Sequence, residues 1–226
     1  MSFKVAVDGT TSSGKGSVAK KVGEHFNLLY IDTGAMYRVV ALNSIKNNIP
    51  LLPENEEKIL AITKNIKMDF DFSSYPQKIF LDGDNVSEII RTVEAGENAS
   101  KVAVMESIRE FLVKYQQNIA MENDVVMDGR DIGSVVLKNA DIKLYLDADS
   151  LTRAKRRCSE VLAKGHKVDL EGVKLAIEQR DHRDKTRENS PLVLCDDAIY
   201  IDTSEKNLDE VLDEVYQIIN NKKASK

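Results

Sequence analysis

The sequence lacks the features of several special classes of protein. Its 226 residues include only two cysteines, Cys158 and Cys195, and no tryptophan. Two cysteines provide neither a disulfide framework nor a paired metal-binding motif, so we expect a reducing, cytoplasmic setting. No apolar run approaches the length of about 18 residues that spans a bilayer, and the N-terminus lacks the apolar core of a signal peptide. Export and membrane insertion are therefore not expected.

Positive charge is also scarce, because 32 Lys and Arg stand against 37 Asp and Glu, a formal net charge of −5. This balance disfavours binding to nucleic acid or to an anionic membrane. The stretch from residue 153 to 187 is the exception: it holds 11 basic and 6 acidic residues, a local charge of +5, so the rest of the chain sums to −10. Six of the ten arginines lie in this stretch. It is either a solvated face or a site for anions.

The composition and pattern predict one α/β domain over residues 1–226. Hydrophobic residues make up 42% and charged residues 31% of the chain, as in an ordinary folded protein. Short apolar runs that alternate with helical patterns predict a three-layer fold with a five-stranded parallel sheet. The predicted strands are 3–7, 28–31, 125–127, 142–146 and 198–201, and an aspartate follows each of them. A ligand site is expected at this carboxyl edge of the sheet.

Two segments interrupt this pattern. Residues 66–72 alternate with a period of two, and a second run at 78–81 precedes an Asp-Gly turn, which predicts a small antiparallel insertion at about 60–95. Residues 163–169 form a short polar connection between two helices. We predict that the region 153–170 is a lid that closes over the site.

A phosphate-binding loop follows the first predicted strand. Residues 8–17 read DGTTSSGKGS and lead directly into a helix, which is the context that a P-loop requires. Exposed backbone N–H groups would bind phosphate oxygens, and Lys15 would add a positive charge at the β- and γ-phosphates of a nucleotide. Ser17 would lie near Mg²⁺ and contact it through water, because Gly16 stands where Ser or Thr is usual. The residues predicted to bind the nucleotide phosphates are Gly9, Thr10, Thr11, Ser12, Ser13, Gly14, Lys15, Gly16 and Ser17.

A second anion site is indicated elsewhere in the chain. Arg38 lies one helical turn after residues 32–34, where it could reach an anion. Asp128 ends a predicted strand, as a carboxylate that holds Mg²⁺ does, and glycines flank Arg130 and Asp131. The alternatives are a helix-capping role for Asp128 and a surface position for Arg130.

The last basic segment places charged residues where an apolar face should continue. Val173, Ile177, Arg180, Asp184 and Arg187 recur at helical spacing on one face. On a plain solvated helix the charges would lie opposite the apolar stripe, so this pattern favours recognition of phosphate or ribose by arginine. Arg153, Arg156 and Arg157 lie opposite an apolar stripe, and for them a solvated face is a stronger alternative.

Five motifs together resemble the bacterial-type cytidylate kinases, within the nucleoside monophosphate kinase group of P-loop proteins. They are the loop at 8–17, DTGAMYR at 32–38, NAS at 98–100 with Arg109 nine residues later, DGRDIGSVV at 128–136 and QRDHRDKTR at 179–187. They occur in order over nearly the whole chain. The chain departs from the family pattern at three positions. Thr10 stands where the family usually has proline, and at Thr33 and Ser134 one hydroxyl residue, Ser or Thr, replaces the other.

The resemblance implies a role for each matching residue. It places the antiparallel insertion in the monophosphate-binding region and the base of CMP against Ser100, Arg109 and Asp131. It implies Arg38, Arg130 and Arg180 on the acceptor phosphate and Asp184 and Arg187 on the sugar. The complete CMP-binding set is Thr33, Arg38, Ser100, Arg109, Arg130, Asp131, Arg180, Asp184 and Arg187. The catalytic set is Lys15, Arg130, Arg153, Arg157 and Arg180, with Arg153 and Arg157 as charges on the lid side. Ser17 and Asp128 would hold Mg²⁺.

The expected reaction is phosphoryl transfer from ATP-Mg²⁺ to CMP or dCMP, in pyrimidine metabolism, by a monomer that binds neither nucleic acid nor membrane. Two other functions stay open. A broader pyrimidine nucleotide kinase would also use UMP, although Asp131 matches the N4 donor of cytosine better than the O4 acceptor of uracil. A P-loop switch would bind nucleotide as a regulatory ligand, but a switch needs no second anion site.

Overall fold

The structure is a computed structural model that describes residues 2–71, 78–163, 165 and 167–225. The chain forms two compact units, of which the first contains Met1–Ile31 and Ala120–Lys226 and the second contains Asp32–Ile119. Residues 72–77 of the predicted insertion and Lys164 and His166 of the predicted lid lie outside the described residues.

The first unit contains a five-stranded sheet whose strand order is β2-β6-β1-β7-β8. The strands are β1 (Lys4–Gly9), β2 (Leu29–Asp32), β6 (Val125–Asp128), β7 (Ile142–Asp147) and β8 (Ile199–Asp202). β1 is the central strand, and it pairs in parallel with β6 from Lys4↔Val125 and with β7 from Val5↔Ile142. The predicted parallel five-stranded sheet is confirmed.

The helices of this unit pack in two ways: two of them lie on the sheet through apolar faces, and two pack against each other. They are α1 (Lys15–Phe26), α6 (Ser150–Ala163), α7 (Leu170–Thr186) and α8 (Leu208–Ala224). Val18 and Val22 of α1 and Val215 of α8 pack with strand residues such as Val5 and Leu144 in one buried core. α6 and α7 pack against each other. α7 ends at Thr186, so Arg187 lies just beyond the helix in which the spacing predicted it, with an extended backbone.

The second unit combines helices with the antiparallel insertion. Its helices are α2 (Thr33–Lys46), α3 (Glu56–Thr63), α4 (Val93–Val102) and α5 (Glu106–Glu122), with short 3-10 turns at Pro53–Asn55 and Ile89–Arg91. β3 (Met68–Asp71), β4 (Lys78–Leu81) and β5 (Asp84–Asn85) form an antiparallel sheet. Asp82 and Gly83 both have positive φ, 52° and 91°, as a tight turn between β4 and β5 requires. The predicted antiparallel insertion is confirmed, while its bounds and those of the lid stay predictions.

Candidate phosphoryl-transfer site

The phosphate loop connects β1 to α1 as the sequence predicts. Gly9 has a φ of +147°, and a Cβ there would lie 1.9 Å from the carbonyl oxygen of Leu146 on the neighbouring strand, so only glycine fits. Gly14 precedes α1 in a left-handed conformation and contributes no capping side chain. The first N–H groups of α1 are therefore available to an anion.

Lys15 is buried at the start of α1. Its Nζ donates to the carbonyl oxygen of Thr10 at 2.9 Å. Burial, and next the positive charge of Arg130, lower the pKa of Lys15 to about 7. A phosphate chain would supply the negative charge that restores the ammonium form.

The carboxylate of Asp128 faces the start of α1. Tyr30 donates its hydroxyl to Asp128 Oδ1 at 3.0 Å, and a Cβ at Gly16 would lie 3.6 Å from Asp128 Oδ2. Ser17 is exposed one residue further along the helix. Oxygen donors of this kind suit Mg²⁺, which keeps several waters and uses few protein ligands. The described residues contain no cluster of three or more His, Cys, Asp or Glu side chains that could enclose a metal.

Arg130 links the phosphate loop to α7. Its Nε donates to Asp184 Oδ2 at 2.8 Å, and its Nη2 donates to Thr11 Oγ1 at 3.0 Å. Both partners of the Arg130–Asp184 pair are largely buried. Although burial opposes the charged form, the charges of Arg130 and then Arg180 hold the pKa of Asp184 below its ordinary value. The stripe on α7 is therefore a buried polar face, and the surface alternative for Arg130 is excluded.

Asp131 and Arg187 also lie together in this unit. Both side chains are less than a tenth exposed, and Arg187 Nη2 is 3.8 Å from Asp131 Oδ1. Arg187 Nε donates to the carbonyl oxygen of Ser190 at 2.7 Å, which orients the guanidinium. Asp131 directly precedes a single π-helical turn, Ile132–Val136.

Arg153, for which the sequence predicts a lid-side charge, contacts the phosphate loop in this structure. It is buried in α6, where it donates to the carbonyl oxygens of Ala148 at 2.8 Å and Thr11 at 3.0 Å and pairs with Asp181. The side chain can be buried because Nε and Nη1 donate to these three acceptors, one of which is a carboxylate that pairs with its charge. Arg157 is partly exposed and pairs with Glu160 at 2.8 Å. The predicted contacts of both arginines with the transferred group stay predictions.

A cavity of about 260 Å³ lies next to the phosphate loop. Arg156 forms part of its wall, and its guanidinium donates to Thr203 Oγ1 at 2.9 Å and also to the carbonyl oxygen of Thr203. The wall also includes Ser13 and Gly14 of the loop, Ser17 of α1, and residues from the connection before α8 and from the start of that helix. The cavity can accept a ligand continuous with one bound at the loop.

The second unit holds the other predicted CMP-binding residues. Arg38 Nη2 donates to Asp32 Oδ2 at 2.6 Å, while Asp32 Oδ1 caps α2 by accepting from Ala35 N–H at 2.9 Å. Thr33 is buried in the first turn of α2. Arg109 is 4% exposed, donates to the carbonyl oxygen of Ala103 at 2.8 and 3.0 Å and lies over the ring of Tyr37, which is also on α2.

Ser100 is the remaining member of this set. It lies on α4, partly buried, and its Oγ donates to the carbonyl oxygen of Gly96 at 3.3 Å. This bond is long, and a hydroxyl can rotate to another partner. Within the second unit, Arg38 and Arg109 are thus held by neighbours, while Ser100 is only weakly engaged.

Two carboxylates that the motifs did not identify as site residues organise the first unit. Asp8 accepts from the N–H groups of Ile132 and Gly133 at 2.8 and 2.7 Å and is buried at the end of β1. Burial raises the pKa of Asp8 to about 6 despite these two bonds. Asp181 accepts from Thr11 N–H at 3.0 Å. The sequence signals are the place of each residue within a motif, at 8–17 and 179–187, and the position of Asp8 at the end of a predicted strand.

The parallel sheet and the phosphate loop before α1 define a P-loop nucleotide-binding protein. A family model described as cytidylate kinase matches residues 5–221. The chain is 43% identical over 219 residues to a cytidylate kinase of Pediococcus pentosaceus, with 97% of this chain and 96% of that protein covered. It is 44% identical over 214 residues to one of Listeria monocytogenes, with 95% and 94% covered. The chain belongs to the cytidylate kinase family, and the predicted resemblance is confirmed.

A comparison with solved structures agrees on the fold. The crystal structure of an uncharacterized protein from Eubacterium ventriosum matches with a TM-score of 0.53 at 15% identity, covering 98% of this chain and 99% of that one. At this identity the likeness concerns the fold alone. Separately, none of the helices in the described part of the chain has both the length and the apolar character needed to cross a membrane.

Proposed function

We propose that this protein transfers the γ-phosphoryl group of ATP to CMP or dCMP and releases ADP with CDP or dCDP. The observation that carries the proposal is the match to cytidylate kinases over nearly the whole chain. The geometry supports it, because the phosphate loop of the first unit contacts Arg130, an arginine predicted to bind the acceptor. The protein is accordingly an ATP-dependent phosphotransferase.

The donor is assigned to the phosphate loop and the adjoining cavity. Backbone N–H groups from Gly9 to Ser17, together with Lys15, bind the phosphates, since the loop ends at the uncapped start of α1. The cavity beside Arg156 has the size and position to receive the nucleoside part of ATP. Ser17 and Asp128 would hold Mg²⁺, directly or through water, because the Asp128 carboxylate faces the first turn of α1, to which Ser17 belongs. When bound, this ion neutralises charge on the phosphate oxygens.

The acceptor is assigned by residue type and by the family motifs. Arg38, Arg130 and Arg180 bind the phosphate of CMP, Asp184 and Arg187 bind the sugar, and Thr33 lies at the start of the α2 motif. Ser100, Arg109 and Asp131 read the base, since a carboxylate accepts from the N4 amine of cytosine and Arg and Ser can donate to O2 and N3. The rigid support of Arg130, Arg109 and Arg187 suits this recognition.

Catalysis needs no general base, because the acceptor is already an anionic phosphate oxygen. The chain contributes alignment of the two phosphates and neutralisation of charge that spreads over the transferred group. Lys15, Arg130 and Arg180 supply positive charge, with Arg153 and Arg157 as further members of the predicted set. The predicted lid at 153–170 would exclude water, which otherwise competes as acceptor. A cytoplasmic location and a monomeric state stay predictions.

Use of UMP is disfavoured by the chemistry of Asp131. Uracil presents O4 where cytosine presents N4, and two acceptors facing each other cost on the order of 1–3 kcal/mol. A pure switch function is disfavoured by the second set of arginines, Arg130, Arg180 and Arg187, because a switch needs no second anion site.

The test is ADP release from ATP-Mg²⁺ with CMP, dCMP, UMP, AMP and GMP as acceptors. We expect CMP and dCMP to be used best. Asp131→Asn should reduce the preference for CMP over UMP, by on the order of tenfold, because an amide can donate to O4 as well as accept. Lys15→Ala should lower turnover with every acceptor to the same extent.

The two variants separate the two halves of the proposal. Equal or better turnover of AMP by the unmodified protein would contradict base recognition by Asp131. Unchanged turnover in Lys15→Ala would contradict the phosphate-loop assignment. Asp197→Asn is the control, since Asp197 is an exposed carboxylate paired with Lys143, and this change should leave all acceptor rates unaltered.

A further inference from the structure

Thr11 of the phosphate loop is bound at each of its three polar groups. Its N–H donates to Asp181 Oδ1 at 3.0 Å, its carbonyl oxygen accepts from Arg153 Nη1 at 3.0 Å, and its Oγ1 accepts from Arg130 Nη2 at 3.0 Å. The three partners come from α7, from α6 and from the segment after β6. A loop residue that is saturated in this way has little freedom to change its backbone direction.

One helix supports both arginines that contact Thr11. Asp181 and Asp184 lie three residues apart on α7 and therefore share one face of it. Asp181 pairs with Arg153, and Asp184 pairs with Arg130 at 2.8 Å. The side chains of Asp181 and Arg153 are only 8% and 7% exposed, so water does not replace a lost partner at this pair.

The contact with Arg153 controls the direction of the next backbone donor. In a trans peptide the C=O and the following N–H point in opposite directions. Anchoring the carbonyl oxygen of Thr11 to Arg153 therefore turns the N–H of Ser12 away from α6. Ser12 itself has a positive φ of 60°, a costly conformation for a residue other than glycine, so the loop needs outside support to keep it.

We propose that Asp181 and Arg153 are positioning residues, which hold Thr11 so that the phosphate loop keeps the backbone geometry that binds the donor. This inference rests on the proposed function for the identity of the donor as ATP. It gives Arg153 a structural task in the first unit and assigns a role to Asp181, which the predicted substrate-binding and catalytic sets do not include.

The test compares variants with the unmodified protein in two measurements. Calorimetry without any acceptor gives the affinity for ADP-Mg²⁺, and steady-state kinetics give the KM values for ATP and CMP. Asp181→Asn keeps an oxygen that can accept from Thr11 N–H but removes the charge that holds Arg153. We expect ADP to bind on the order of tenfold more weakly and the KM for ATP to rise in parallel, since a buried charge has lost its partner. The KM for CMP should change by less than about twofold.

A second variant and a matched control keep the test decisive. Arg153→Met removes both the positive charge and the donors, so it should bind ADP most weakly. Arg153→Lys retains the charge and one donor to Thr11 or Asp181, so its affinity for ADP should lie between those of Arg153→Met and the unmodified protein. Asp197→Asn removes a charge of the same kind from a pair in which Asp197 is 65% exposed, and it should change nothing. If Asp181→Asn does not fold, by circular dichroism and thermal unfolding, the two Arg153 variants decide.

The outcomes distinguish this inference from the proposed function. Unchanged ADP affinity in folded Asp181→Asn, or an equal rise in the KM for CMP, would overturn the positioning role. If the unmodified protein binds ADP and the variant binds it more weakly, while CMP is not phosphorylated by either, the positioning role holds and the proposed function fails.

Discussion

At the scale of single residues, the aspartates that end the strands have separate tasks. Asp8 holds the backbone of Ile132 and Gly133, and Asp128 faces the start of α1. Asp147 accepts from Thr10 Oγ1 at 2.5 Å. All three lie at the carboxyl edge of the sheet, where the alternation of strands and helices predicts a site. The partner of each aspartate is set by the loop or helix that lies against its carboxylate.

Asp8 permits a prediction of how stability depends on pH. Its pKa is raised from 3.8 to about 6 in the folded protein, so its stabilising contribution is present below pH 3.8 and is lost as the pH rises through 6. Asp8→Asn has no such titration. Between about pH 4.5 and 7.5 the unmodified protein should therefore lose about 2 kcal/mol of unfolding free energy relative to Asp8→Asn.

Urea unfolding of both proteins at the two pH values measures this difference. The charges that act on Asp8 are those of Asp131 and Arg130, and both remain in the variant. Asp197→Asn serves as a control for a carboxylate whose pKa is lowered instead. Parallel pH profiles for the unmodified protein and Asp8→Asn would show that Asp8 does not titrate in this range.

At the scale of elements, helices here carry functional residues on faces that are also packing faces. α7 buries Ile177, Asp181 and Asp184 on the same side. The charged members can be buried because Arg153 and Arg130 pair with them. α7 therefore cannot shift without disturbing the contacts of the phosphate loop.

The start of α8 gives a prediction for a single helix end. Asn207 Oδ1 accepts from Glu210 N–H at 3.0 Å and Glu210 Oε2 accepts from Asn207 N–H at 2.8 Å, a complete capping box. Asn207→Ala should lower the unfolding free energy by about 1 kcal/mol, because an N–H at the helix start loses its partner. Thermal unfolding should register this as a fall in Tm of about 2–4 °C.

The matched control is Asn220→Ala, which makes the same change at an exposed position in the last turns of α8. Alanine is the better helix former there, so this variant should be as stable as the unmodified protein or slightly more stable. An equal loss of stability in both variants would mean that the capping box contributes nothing specific.

At the scale of the whole molecule, the charge distribution favours the binding of small anions, such as nucleotides, over the binding of long polyanions, such as nucleic acid. The stretch from residue 153 to 187 carries +5 and the remaining chain carries −10. In the structure several arginines of this stretch form ion pairs, Arg153 with Asp181 and Arg157 with Glu160 for example. Part of the local positive charge is thus neutralised by neighbouring carboxylates.

This distribution predicts that the protein does not bind nucleic acid at physiological salt. A fluorescent single-stranded DNA of about 30 nucleotides should show no change in anisotropy at about 150 mM salt and micromolar protein, since too few phosphates would be neutralised. ADP-Mg²⁺ should bind under the same conditions. Saturable DNA binding that competes with ADP would contradict this reading of the basic stretch.

Much of the site could be predicted because its signals are local. Lys15 and its glycines lie within ten consecutive residues between a strand and a helix, and Asp128 directly ends a strand. The position of Arg153 could not be predicted, because two of its acceptors are distant in the chain. Asp181 is 28 residues away and Thr11 is 142 residues away. A helical pattern shows which residues share a face but not which loop that face meets.

The sequence by itself determined the parallel sheet, the antiparallel insertion, the phosphate loop and the family, because each depends on periodicity or on residues close together in the chain. Only the tertiary structure decided that Thr11 is held by Asp181, Arg153 and Arg130, and that Asp8 supports the turn after Asp131. Those contacts arise when separate helices and strands pack, and a buried charge stays ionised only where packing brings it a partner. The scarcity of positive charge in the chain is therefore compatible with an anion site, because a few arginines held in place by buried carboxylates are sufficient.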